Sequence, residues 1–302
     1  MNSLGMNPMN PLDVSEFAQN IVKYFANEFL EDLQDACIKM YTSIFSQANE
    51  ATESAALQLK VTPEAMFPDA YAVIVNISET VFFPIAGIIL MFILSYESVS
   101  MLVENNRMKE FGVQDVCILI FKILGGVWLL THSIDLVNAA FKIGQWAVIK
   151  AGVEATNASI GAGMDAISYI ESCTDILSMM GYLFVGCIVK IGVAIFSVVV
   201  KVAVWLRFVE LYLFVVSAPI PFSTFLNKEW GQMGFNYIRK ILSLAFQPVY
   251  MIVCFSIFSG ILVLQSGSDL AGSLMKAFAA MVILAIALFK TGTIADSIFN
   301  AH

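Results

Sequence analysis

The stretch from residue 176 to residue 226 restricts what this chain can fold into more than any other. From Ile176 to Ala218 it is almost unbroken apolar sequence. A helix of that length would extend roughly 64 Å, about twice the hydrocarbon core of a bilayer. Either one helix crosses the membrane and continues beyond it, or two spans follow each other without a turn residue. The charged residues of this run are Lys190, Lys201, Arg207 and Glu210.

Those four charges indicate what kind of membrane element the run forms. Each ionisable group near the bilayer centre costs at least about 2.5 kcal/mol on insertion scales. Four of them on one stretch must therefore face protein, water or lipid headgroups instead of lipid chains. The pattern favours an assembly or a conduit over a simple anchor.

The composition of the whole chain agrees with a membrane protein. Of its 302 residues, 59% are hydrophobic and only 13% are charged, which is outside the usual range of soluble domains. The apolar runs are longer than the roughly 10-residue segments of membrane β-barrels. We therefore predict an all-α, polytopic fold with about five transmembrane helices and an amphipathic, soluble N-terminal helical region.

Composition also divides the chain into three regions. Residues 1–70 are acidic and carry an apolar stripe at helical spacing, residues 71–290 form the transmembrane domain, and residues 291–302 form a C-terminal tail. The net charge of −8 argues against electrostatic binding of nucleic acid, which requires clustered lysine and arginine. The stripe on the N-terminal helix packs either on a partner helix of its own chain or, as a docking surface, on another subunit or the membrane face.

Apolar runs place the transmembrane helices, and basic loops orient them. Residues 131–175, between the second and third spans, predict interfacial or re-entrant helices. Lysine and arginine lie mainly in loops 97–112 and 227–240, which predicts an N-terminus outside and a C-terminus inside. A hairpin in the central run would place loop 227–240 outside, so a single central span is preferred. The other spans are predicted over Tyr71–Tyr96, Val113–Leu130, Ile241–Leu264 and Lys276–Lys290.

Residue types that carry catalysis are scarce in this chain. It holds two histidines and five cysteines, without a Cys-x-x-Cys pair or a Gly-x-x-x-x-Gly-Lys phosphate loop. Nucleophilic sites, zinc sites and nucleotide sites therefore lack their usual residues. We expect no enzymatic activity, no cofactor, no metal and no stable small-molecule ligand.

The candidate functional residues are instead charges within apolar runs and a helix break. Arg207 and Glu210 are three residues apart and close enough to pair on one helix. The charges either lock helices together or line a hydrated interface between helices or subunits. The intramembrane candidates are Lys122, Lys190, Lys201, Arg207 and Glu210.

After the central run, two prolines predict a bend. Pro219 and Pro221 cannot donate backbone hydrogen bonds, so they stop helix propagation. The segment that follows has the basic and aromatic composition of a membrane interface. Its interfacial candidates are Lys228, Trp230, Arg239 and Lys240.

The sequence from Arg207 to Tyr212 (RFVELY), followed by Ala-Pro-Ile-Pro at residues 218–221, resembles the central segment of the TrbL-type polytopic subunit of conjugative type IV secretion systems. The layout over residues 70–290 is similar as well. The resemblance implies a homo-oligomeric ring in the bacterial inner membrane, which surrounds or forms the passage for a transient DNA–protein substrate. It also implies other secretion-system subunits and separate ATPases as partners. The residues carried over are Arg207, Glu210, Pro219 and Pro221.

Two other functions remain open at the level of sequence. Residues 117–123 and 187–191 are weakly alike, and internal repeats are common in small-solute secondary transporters. A purely structural scaffold that assembles other subunits without lining a passage is the second alternative. The sequence does not separate the scaffold from the conduit.

Overall fold

The computed structural model describes residues 11–104, 113–155, 170–227, 229–264 and 270–301. All regular elements within these ranges are helical, and four helices are long and apolar enough to cross a membrane. A bent pair of helices raises that number to five if the pair is one span. The predicted fold class, an all-α polytopic membrane protein, is confirmed. In chain order the helices are α1 (Pro11–Leu59), α2 (Pro63–Met66), α3 (Pro68–Ile77), α4 (Phe83–Glu104), α5 (Val113–Thr131), α6 (Ser133–Ala155), α7 (Ile176–Ser217), α8 (Pro219–Thr224), α9 (Gly231–Leu264) and α10 (Leu270–Phe299).

The chain forms two compact units. The first comprises Met1–Asn49, Ile160–Ile195 and Ile261–Ala280, and the second comprises Glu50–Ser159, Phe196–Gly260 and Met281–His302. The boundaries predicted from composition near residues 70 and 290 stay predictions.

In the first unit, the middle of α1 packs closely on α7. The Tyr41 hydroxyl donates a hydrogen bond to the Tyr182 carbonyl at 2.9 Å. A Cβ at Gly186 would lie 2.1 Å from the terminal methyl of Met40, so a larger residue there would require the Met40 side chain to move. Burial raises the pKa of the Cys37 thiol and of the Tyr41 hydroxyl. Both groups therefore stay protonated at neutral pH.

The apolar stripe predicted on the N-terminal helix is only partly covered. Cys37 and Ile44 are buried, whereas Phe17, Phe25 and Phe29 nearer the N-terminus are exposed. The later half of the stripe thus packs inside the first unit. Docking of the earlier half on another subunit stays a prediction.

In the second unit, the first span contains a π turn because of a proline. Pro84 lacks an N–H, and its ring would clash with the carbonyl four residues back in a regular helix. The π turn Ser78–Phe82 precedes it, and the Phe83 N–H donates to the carbonyl of Ser78, five residues back. The Ser78 hydroxyl donates to the carbonyl of Val216 at 2.9 Å. The wider turn is therefore fixed against the end of α7.

The predicted second span ends at a bend. Helices α5 and α6 meet at an angle of 62° around His132, which is where the sequence predicts that interfacial or re-entrant helices begin. Within α5, a Cβ at Gly126 would lie 2.9 Å from a methyl of Leu90. Farther along, a Cβ at Gly144 would lie 2.1 Å from the carbonyl oxygen of Ala245. Glycines thus let α5 approach α4 and let α6 approach α9.

The central run is one helix, which decides between the two alternatives left open by the sequence. Helix α7 continues for 42 residues from Ile176 to Ser217 without a break. Ala218 separates it from α8, whose first residue is Pro219. Helix α8 packs against α4 and α5, where Ile220 lies on a core formed by Ala86 and Leu90.

Candidate functional site

Four charged residues of the second unit meet around one cavity. They are Arg207 and Glu210 of α7, Lys240 of α9 and Asp296 of α10, and together they form what we call the charge cluster. The cavity has a volume of about 230 Å³ and is also lined by Ser243 and Gln247. The cluster is electrically balanced, with two cations and two carboxylates.

Lys240 and Asp296 form the tightest pair of the charge cluster. The ammonium of Lys240 donates to Oδ1 and Oδ2 of Asp296 at 2.9 and 2.7 Å. The Ser243 hydroxyl donates to Oδ1 of the same carboxylate at 2.7 Å. Charge-assisted bonds of this length are among the stronger ones in proteins. They join the first third of α9 to the last turns of α10.

Glu210 pairs with Lys240 and not with its neighbour on α7. Its Oε1 lies 3.5 Å from the Lys240 ammonium. In the described part of the chain, no ion pair joins Arg207 to Glu210, in contrast to the expected pairing. The reason is that a facing helix supplies a second cation, and Glu210 extends toward it. Spacing along one helix carries no information about such a competitor.

Arg207 is the least satisfied polar group at the site. Its side chain is buried, at 6% exposure, and its Nε and Nη1 atoms have no hydrogen-bond partner among the described residues. The guanidinium carbon lies 5.4 Å from the ring centre of Phe208, a contact that adds cation–π attraction. Buried guanidinium groups are normally paired, so this side chain retains capacity to bind an anion.

Gln247, another residue that lines the cavity, carries an unused acceptor. Its Oε1 atom is buried and has no hydrogen-bond partner among the described residues. Pro248 follows it inside α9 and has no N–H for the carbonyl of Leu244 four residues earlier. The side chains that line the cavity therefore include both unused donors and an unused acceptor.

A second polar group in the same unit pairs its charges directly. The Lys122 ammonium donates to Oε1 of Glu97, and the Asn227 amide donates to Oε2 of the same carboxylate at 2.9 Å. The side-chain oxygen of Asn227 accepts from the backbone amides of Glu229 and Trp230 at 2.8 and 2.9 Å. This group ties the segment after α8 to the first and second spans, which is a structural role.

The remaining predicted residues lie apart from the cavity. Lys190 and Lys201 are exposed on α7, and Arg239 is exposed on α9. The Trp230 ring stacks on Phe92 with centroids 5.8 Å apart. Pro219 is buried at the first position of α8 and Pro221 follows within the same short helix. Lys228 and the basic loop residues 105–112 lie outside the described residues.

Sequence reasoning missed several members of both polar groups. Asp296 fell in the predicted tail, and Gln247 was not among the candidate residues. The available signal was a single acidic residue near the end of an apolar final helix, which by itself predicts no partner. The missed residues are Glu97, Asn227, Ser243, Gln247 and Asp296.

Comparison with known proteins identifies the family. A family model described as TrbL/VirB6 plasmid conjugal transfer like protein matches residues 48–219, which is more than half of the 302 residues. No curated protein and no solved structure matches the chain. The matched range includes Arg207 and Glu210 and ends at Pro219, within the segment that carries the sequence resemblance. The chain therefore belongs to the TrbL/VirB6 plasmid conjugal transfer-like family.

Proposed function

We propose that the protein is a channel or scaffold subunit of a type IV secretion apparatus, which forms a ring around the passage for a DNA–protein substrate. It acts without catalysis of its own, in the bacterial inner membrane, with separate ATPases and further secretion subunits as partners. Family membership supports a role in conjugal transfer. The ring and the passage rest on the arrangement of charges on α7.

The main support for the ring and the passage is the position of two lysines on α7, Lys190 and Lys201. Both are exposed and both lie on α7, an apolar helix that qualifies as a membrane span. At 3.6 residues per turn, positions eleven apart are rotated by only about 20° and are separated by roughly 16 Å. The two ammonium groups therefore lie on one face of the helix.

That face is unsuited to lipid chains. A lysine near the bilayer centre is costly, and the described structure supplies no carboxylate partner for either residue. In a ring, the same face of each subunit would border water or a neighbouring copy. Rows of lysine along an aqueous passage would attract the phosphates of a DNA substrate.

The test replaces both lysines by glutamine and measures conjugation frequency at matched membrane levels. Each change removes a lysine that would bind a phosphate of the DNA substrate, and a hydrogen bond to a charged group contributes about 1.5–3 kcal/mol. We therefore expect each change to lower the transfer frequency by about tenfold or more. Lys39→Gln is the matched control, because Lys39 is an exposed lysine of α1. We expect it to transfer like the parent protein.

A cross-linking experiment distinguishes a subunit that lines the passage from one that only acts as a scaffold. Ala194 is exposed between the two lysines, and Ala194→Cys in an otherwise Cys-free variant reports whether this face meets its counterpart in another copy. A cross-linked dimer, the largest product that one thiol per subunit allows, together with reduced transfer in the lysine variants supports the passage. A cross-linked dimer with normal transfer in those variants would leave only the scaffold. A protein that does not cross-link and transfers normally would refute both.

A further inference from the structure

We propose that the cavity of the charge cluster binds the phosphoethanolamine group of a membrane lipid, with the phosphate on Arg207 and the ammonium on Glu210. This site is separate from the exposed face of α7. Lipid binding at the cavity does not require that the protein form a passage. It also departs from the sequence-based expectation of no small-molecule ligand.

After Lys240 and Asp296 pair with each other, the charge cluster retains one cation and one carboxylate that are incompletely paired. Lys240 and Asp296 satisfy each other through two hydrogen bonds of 2.9 and 2.7 Å. Arg207 is then a cation without a partner for Nε and Nη1. Glu210 is a carboxylate whose ion pair, with Lys240, is 3.5 Å long. A zwitterionic ligand would complement these two residues. Its anionic group can bind the unused donors of Arg207, and its cationic group can bind the weakly paired carboxylate of Glu210.

The guanidinium of Arg207 is suited to bind an anion. A guanidinium presents several N–H donors in a fixed plane, which suits the oxygens of phosphate and carboxylate. Its guanidinium is buried, and a buried charge without a counter-ion is strongly disfavoured. A phosphate diester supplies one negative charge and several acceptor oxygens, which match the donors that are unused.

The carboxylate of Glu210 is placed to bind the ammonium group of the ligand. The side chain of Glu210 is 41% exposed, so its carboxylate remains open to a ligand at the cavity. Its distance of 3.5 Å from Lys240 exceeds the 2.7–2.9 Å typical of charge-assisted N–H···O bonds. The unpaired Oε1 of Gln247 is a further acceptor on the cavity wall. A primary ammonium, with three donors, can use both oxygens.

The size of the cavity fits a headgroup. Its volume of about 230 Å³ corresponds to roughly eight waters at their liquid volume. This is enough for a phosphate ester with a two-carbon amine. A membrane protein meets this chemistry as phosphatidylethanolamine, whose acyl chains would remain outside the cavity.

The experiment measures binding of short-chain lipids to the purified full-length protein in detergent by calorimetric titration. Phosphatidylethanolamine is compared with phosphatidylcholine, whose quaternary ammonium has no N–H, and with phosphatidylglycerol, which has no amine. We expect phosphatidylethanolamine to bind at least about tenfold more tightly than either, as one charged hydrogen bond contributes. Equal binding of the three lipids would overturn the proposal.

Two variants locate the two ends of the ligand. Arg207→Gln should weaken phosphatidylethanolamine binding at least about tenfold, whereas Arg239→Gln, which changes an exposed arginine of α9, should not. Glu210→Gln should reduce the preference for phosphatidylethanolamine over phosphatidylglycerol to about one while it leaves phosphatidylglycerol binding unchanged. If Arg207→Gln does not fold, this change in preference decides the matter. Unchanged preference in Glu210→Gln refutes the assignment.

Soluble compounds identify the source of the headgroup. Free phosphoethanolamine that binds much more weakly than the lipid indicates a lipid ligand, since the acyl chains then contribute. Free phosphoethanolamine that binds as tightly indicates a soluble ester of the same chemistry, which contradicts the lipid assignment. Inorganic phosphate that competes as well as phosphatidylethanolamine contradicts the role of Glu210.

Discussion

Replacement of Lys122 by glutamine removes one partner of the most buried ion pair among the described residues. The side chains of Lys122 and Glu97 are 20% and 10% exposed. Glutamine keeps much of the aliphatic stem and removes the charge. The Glu97 carboxylate then retains one protein hydrogen bond, from the Asn227 amide at 2.9 Å.

The burial of the pair sets the expected magnitude. Loss of one partner of a buried ion pair typically destabilises a protein by about 3–5 kcal/mol, because a charge remains buried without compensation. The Asn227 hydrogen bond and the small residual exposure place this case at the lower end, near 3 kcal/mol. Glu97→Gln should cost less, because a lysine left alone can extend its ammonium toward water.

The Lys39–Asp35 pair of α1 provides the control. It joins residues one turn apart at 3.1 Å, with side chains 78% and 69% exposed. Pairs of this kind contribute about 0.3–0.5 kcal/mol. The free energy of unfolding of Lys122→Gln and Lys39→Gln is measured by titration with a denaturing detergent in mixed micelles. The reasoning is refuted if Lys122→Gln costs no more than Lys39→Gln.

The other predictions concern glycine packing and orientation. Gly144→Ala should destabilise by about 1–3 kcal/mol through overpacking, because its Cβ would lie 2.1 Å from a backbone oxygen of α9. Gly181→Ala, which meets nothing within 4 Å, should instead stabilise by up to about 1 kcal/mol; equal effects in thermal unfolding would contradict the contact. For the proposed orientation, Ser3→Cys in a Cys-free variant should react with an impermeant thiol reagent on intact spheroplasts. Labelling only after lysis would reverse the orientation.

The sequence predicted the parts of the fold that depend on local composition. Apolar runs predict helices because every backbone polar group must be satisfied inside the bilayer, and the long run from Ile176 predicted α7 correctly. The start of α2 is equally local, because Thr62 precedes Pro63 and the Thr62 hydroxyl accepts from the Ala65 amide at 3.4 Å. These features need only neighbouring residues.

The partners of charged residues were not predictable in the same way. Lys122 and Glu210 were recognised as charges that need compensation, but their partners, Glu97 and Lys240, lie on other helices. The interfacial position of Lys240 stays a prediction, and the pairing of its ammonium with Asp296 was not predicted. Pairings of this kind depend on which helix faces meet and at what register, and no local pattern encodes either.

The π turn before Pro84 has a consequence for the register of the first span. A π turn is equivalent to one residue inserted into an α-helix, and one residue corresponds to a rotation of about 100°. Tyr71, before the turn, hydrogen-bonds Asn138 at 2.9 Å, and Glu97, after it, receives Lys122. Without the extra residue, the two halves of the span would be rotated relative to each other, and both polar contacts could not form at once. The length of this short segment therefore sets which side chains the first span can direct toward its neighbours.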